Sequence, residues 1–190
     1  MKKPLSLIFL LIGQILFYSC HIPHDREIIC YDNFKKATDL AYRNPSNPAA
    51  LDSALIIVNR CMKCDSIKTA VVDLKIRLLI ALGKFKEGSK FIDSLQASDF
   101  TYPYKKKLNH DNFIALNFAS YKDTINHDKV FREMAAGLGS YINNNNLKSK
   151  EFQEAFIDLN SIDSAESNRQ IDSLKIKYPG EAKFLDFFKH

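Results

Sequence analysis

The chain has 190 residues, with 27 Lys and Arg against 22 Asp and Glu, 46% hydrophobic and 26% charged residues, six Gly, four Cys and no Trp. That length holds one domain with at most a small appendage and excludes a TIM barrel, and the composition excludes a disordered charged tail and a multi-span membrane protein. Six Gly, about half of average usage, argue against Gly-rich phosphate loops and turn-rich all-β folds, and a net charge of +5 is small for a nucleic-acid binder.

In chain order, the first twenty residues stand apart. Lys2 and Lys3 precede an apolar run from Leu5 to Tyr18, which is too short to cross a hydrocarbon core of about 30 Å yet suits the central region of an export signal. The run ends at Ser19-Cys20. A small residue followed directly by Cys resembles a bacterial lipobox. The resemblance implies a signal peptide over residues 1–19, a palmitate-type lipid on Cys20 and a lipidated tether over 20–27. Removing 19 residues from 190 leaves 171, and without Lys2 and Lys3 the balance is 25 basic to 22 acidic, or +3. His21 rather than Asp follows Cys20, which points to the outer membrane.

The remainder, 28–190, reads as amphipathic helices separated by turn chemistry. The first covers roughly Arg26 to Arg43, with Ile28, Tyr31, Phe34, Thr38 and Ala41 as its apolar face, and Asn44-Pro45-Ser46-Asn47-Pro48 stops it. Asn47 caps a second helix carrying Leu51, Ala54, Leu55, Val58 and Cys61. Asp65 or Ser66 caps a third, with Ala70, Leu74, Arg77, Leu78, Ala81 and Leu82 on one face, closed by Gly83. A fourth covers about Lys84 to Ala97. Asp99 to Pro103 is a loop, and helices follow at about Tyr104–Ser120, His127–Asn143, Ser149–Leu159 and Ser164–Tyr178. Phe184, Leu185, Phe187 and Phe188 dock the last turns, and no stretch alternates as a strand does.

The segment Leu74 to Leu95, LKIRLLIALGKFKEGSKFIDSL, resembles a tetratricopeptide repeat. Gly83 sits at the interhelical turn, Phe85 supplies the turn aromatic, Gly88 takes the small-residue position where two helices touch, and Ile92 and Leu95 continue the buried face. Gly88, Ile92 and Leu95 follow Ala54, Val58 and Cys61 at the period of this repeat, about 34 residues. The resemblance covers this repeat well, the preceding one by half, and Gln170 to Glu181 weakly. It implies an all-α fold of antiparallel helix pairs, stacked as a short tetratricopeptide-like α-solenoid or a helical bundle.

Chemistry-bearing patterns are sparse. Cys61 and Cys64 form a CxxC at the end of a helix, where the dipole raises a thiol pKa rather than lowering it. No second CxxC exists to complete a zinc site. In an oxidising compartment the reading is a structural disulfide from Cys30 to Cys61 or Cys64, leaving one thiol free. His21 and His24 lie in the tether, and His110 and His127 lack ligand partners at helical spacing. No nucleophile elbow, phosphate loop or metalloprotease motif is present. Lys105, Lys106 and Lys107, beside Tyr102 and Tyr104, are the dense basic run, suited to an acidic partner or lipid headgroups or to a solvated helix start.

The sequence therefore predicts a non-enzymatic, cofactor-free, metal-free lipoprotein that binds another protein or peptide at the cell envelope as a scaffold or assembly subunit. It touches membrane through its anchor and has no nucleic-acid partner. Alternatives are an immunity lipoprotein against a periplasm-delivered toxin, a thiol redox helper using the CxxC pair, and a lipoprotein presenting a ligand to a transporter.

Overall fold

A computed structural model of the chain describes the backbone of residues 22–189 and the side chains from residue 27 onward. Cys20 and the apolar run before it lie outside the described residues. Among the described residues the fold is all-α, without strands, and within each of two compact units helices adjacent in sequence pack as pairs. None of these helices is long and apolar enough to cross a membrane. The chain divides into two compact units, residues 1–82 and 83–190.

In the first unit α1 (Ile22–Arg43), α2 (Pro48–Cys61) and α3 (Lys68–Ala81) pack in succession, with a 3₁₀ turn at Asp65–Ile67 before α3. Asn47 Oδ1 accepts the N–H groups of Ala49 and Ala50, and Pro48 opens α2 where a missing N–H costs nothing. Leu51, Ala54, Leu55, Val58 and Cys61 are all buried, as their spacing predicts.

Three local expectations change. The first helix begins at Ile22 rather than Arg26 and takes in most of the polar tether, because Pro23 falls in its first turn. Its inner face is Cys30, Phe34, Ala37 and Ala41, while Ile28 and Tyr31 are exposed. In α3 the buried side chains are Val71, Val72, Leu74, Ile76, Leu78 and Leu79, whereas Ala70, Arg77 and Ala81 face water. Burial around so much of α3 blurs the helical period that one-sided helices show. No side chain caps α3, so Asp65 and Ser66 enter the 3₁₀ turn instead.

The second unit contains α4 (Phe85–Asp93), a 3₁₀ turn (Ala97–Asp99), α5 (Tyr104–Ser120), α6 (Thr124–Asn143), α7 (Lys150–Ile162), α8 (Ser164–Lys177) and the short α9 (Ala182–Asp186). The fourth helix ends four residues earlier than its sequence suggests, because Gln96 and Asp99 close a reciprocal capping box on the 3₁₀ turn. Asp123, Ser149 and Asp163 cap α6, α7 and α8 through their side chains. The core joins Leu138, Ile142, Phe152, Phe156, Leu159, Ile171, Leu174 and Leu185. Phe184 and Phe188 pack on it, and Phe187 does not, being exposed.

Two glycines occupy positions that a Cβ would strain. Gly83 has φ +67°, a left-handed conformation disfavoured for residues with a Cβ. A Cβ on Gly88 would fall 2.1 Å from the ring of Phe113, so only glycine lets α4 approach α5 this closely. Ala54, Val58 and Cys61, and likewise Ile92 and Leu95, are buried. The segment Leu74 to Leu95 straddles the boundary between the units.

Candidate functional site

The start of α5 carries the Tyr and Lys cluster singled out in the sequence, and the structure commits most of it to the protein itself. Tyr104 donates its hydroxyl to Asp158 of α7 at 2.8 Å, and Lys105 pairs with the same carboxylate at 3.0 Å and with Glu154 at 3.7 Å. Lys106 donates to the Leu95 carbonyl, and Lys107 pairs with Asp111 one turn on. Lys105 and Lys106 thus tie α5 to neighbouring segments, whereas Lys107 pairs within α5 and stays exposed. The three do not form a free cationic patch. Tyr102 stacks on Tyr104 with ring centroids 6.0 Å apart.

Beside this cluster α5 and α6 leave a groove of about 470 Å³. The helices run antiparallel, so the start of α5 lies against the second half of α6. Tyr104 and Leu108 line one side, and Met134, Gly137, Leu138 and Tyr141 line the other. The Tyr104 and Tyr141 rings meet with centroids 4.9 Å apart. Their hydroxyls donate to carboxylates, Asp158 for Tyr104 and Glu151 for Tyr141, which fixes the two rings. Burial first, and these carboxylates second, push both phenols above their ordinary value. Glu133, Ser140 and the Lys107–Asp111 pair make a polar rim. A Cβ on Gly137 would meet nothing within 4 Å, so this glycine opens onto free space.

The sequence pattern singles out Tyr104 and Lys107 but not the α6 half. Met134, Leu138 and Tyr141 recur at four and three residues, a pattern that an ordinary core stripe shares. Asp158, which orients Tyr104, carries no local signal, because its partner lies 54 residues earlier.

The cysteines settle into a structural arrangement. Cys30 of α1 and Cys64, just past α2, form a disulfide with Cα atoms 6.0 Å apart. Cys61 remains a buried free thiol, its Sγ 3.9 Å from the Cys30 carbonyl oxygen. Burial pushes this thiol above its ordinary value, the reverse of an activated nucleophile. The CxxC residues are therefore not each other's partner.

His21 and His24 lie outside the described side chains, and His110 and His127 each face carboxylates of their own surroundings. His110 lies 3.3 Å from both Asp93 and Asp111, and His127 2.9 Å from Asp128. Among the described residues no group of three or more His, Cys, Asp or Glu is placed to hold a metal ion. A partly buried polar chain instead links α6 to α8: Asn143 donates to Gln170 at 2.9 Å, and Gln170 donates to Glu166 at 2.7 Å. Gly139 makes room for it, since a Cβ there would lie 3.0 Å from the Gln170 amide nitrogen.

No protein family, curated protein or solved structure matches this chain.

Proposed function

We propose that this protein is a lipid-anchored, helical binding protein of the bacterial envelope whose α5–α6 groove receives an apolar segment of another protein. The observation that carries the reading is the groove itself: two tyrosine rings, Leu108, Met134 and Leu138 around an open glycine, with Lys107, Asp111 and Glu133 also in its lining. Aromatic and Met side chains are enriched at protein interfaces, and anchors in such a pocket supply most of the binding energy. Preformed tyrosines lose little conformational freedom on binding, because Asp158 and Glu151 already hold them. The signal-like run ending at Ser19-Cys20 supports an envelope location and a lipid on Cys20. The tetratricopeptide-like segment fits a protein whose work is contact.

The test compares the wild-type protein with Gly137→Leu and Gly137→Ala. Leucine fills the groove without entering the core, and alanine adds one methyl group to open space. A partner captured in cross-linked envelopes by wild type and Gly137→Ala, and lost with Gly137→Leu, supports the groove as the binding site. Equal capture by all three contradicts it.

A further inference from the structure

A second surface, on α1, has no role in the groove. Ile28, Ile29 and Tyr31 are 48%, 60% and 59% exposed, a cluster of large apolar side chains within one turn of helix. The strip is bounded: Asp32, Lys35 and Lys36 follow it and are exposed. Their side chains return the next turn to water. A contiguous apolar strip on the exposed face of a helix marks a contact.

What covers it follows from where the helix starts. Ile22 opens α1 two residues after Cys20. At 1.5 Å per residue, Ile28 to Tyr31 stand about 9 to 14 Å along the axis from Ile22, and Tyr42 about 30 Å along it. A helix held by a lipid at its first turn has little slack, and leaning toward the bilayer brings the strip into the headgroup layer. Apolar and tyrosine side chains are favoured in that layer, where a helix face sinks about 5–10 Å. We infer that Ile28, Ile29 and Tyr31 form a membrane-seating patch which fixes the tilt of α1 on the lipid surface, while Tyr42 stays clear of it. The inference rests on lipidation of Cys20, and it adds a second contact to a single anchored residue.

The chain contains no Trp, so Ile29→Trp and Tyr42→Trp each place one spectroscopic reporter on α1. Full-length protein made in a bacterial host is purified from membranes and reconstituted into phosphatidylcholine–phosphatidylglycerol vesicles with brominated acyl chains. Mass spectrometry of the Cys20 peptide shows whether the lipid is present. With lipid on Cys20, the Ile29→Trp emission is expected to be quenched at least about twofold more than that of Tyr42→Trp. Equal quenching of the two reporters on lipidated protein overturns the patch and leaves the anchor standing. A Cys20 peptide without lipid removes the anchor, and the patch falls with it. An Ile29→Trp emission shielded from both brominated lipid and aqueous iodide assigns the strip to a second copy or a partner protein, which also overturns the membrane assignment.

Discussion

The two units reach stability by different means. The described residues of the first unit use three helices, an aliphatic interior in which Leu51, Leu55, Val58, Val71, Val72 and Leu79 are buried, and a disulfide from Cys30 to Cys64; no aromatic side chain described there is fully buried. Residues 83–190 use Phe113, Phe152 and Phe156, all fully buried, and polar ties between helices such as Tyr104 to Asp158 and Asn143 to Gln170. A small helical unit buries less surface per residue, and a covalent loop offsets that deficit. A larger aromatic core holds itself and leaves room for a groove whose walls are oriented by hydrogen bonds. The staple and the candidate site therefore belong to separate units.

The contrast between the units is tested most severely in their interiors. Phe156 packs between Phe152 and Phe188, with ring centroids 5.4 and 5.3 Å away. Phe156→Ala should cost the second unit about 3–5 kcal/mol. Hydrogen exchange resolved by residue would show protection lost across 83–190 and kept around Leu55 and Val58. The converse is Cys64→Ser, which opens a loop of 34 residues and should cost the first unit about 3–4 kcal/mol by loop entropy. Wild type under reducing agent should lose the same protection, with the α5–α6 groove unaffected; loss of both together would mean the staple serves the whole chain.

Smaller effects refine the contrast. Tyr104→Phe removes one hydrogen bond and should cost about 1 kcal/mol at neutral pH. Tyr104 and Tyr141 both have folded-state pKa values above the ordinary value of 10.0. Above that pH the unfolded chain loses these protons while the folded unit keeps them, so their contribution is full below about pH 10 and declines above it. Alkaline unfolding of the second unit should therefore be shallower in Tyr104→Phe, as read by circular dichroism between about pH 9 and pH 12. Gly137→Ala is the mildest change: it should raise stability by about 1 kcal/mol, since a helical glycine gains a methyl group that meets nothing.

Much of the fold was legible in the sequence because its punctuation is strong. Asn47-Pro48 places the start of α2, Gly83 closes the turn after α3, and Tyr104 to Ser120 is helical over the predicted span. Faces were harder. Ile28 and Tyr31 fit a helical period as well as Cys30, Phe34 and Ala37 do, and only packing against α2 decides which set turns inward. Gly88 was readable as a contact point, although its partner Phe113 was not. Half of the candidate site was readable, since Tyr104 and Lys107 cluster with their neighbours. The other half depends on α6 crossing α5 in one register, which brings Tyr141 onto Tyr104 from 37 positions away.

The α5–α6 groove is proposed to hold a segment of another protein. Ser140 is exposed on its rim, so a photo-activated benzophenone amino acid placed there reports on the occupant in living cells. One discrete protein adduct is expected at Ser140, abolished by Gly137→Leu and retained with Gly137→Ala. Irradiation that yields no protein adduct in the folded, membrane-associated protein, or an adduct that survives Gly137→Leu, would contradict it.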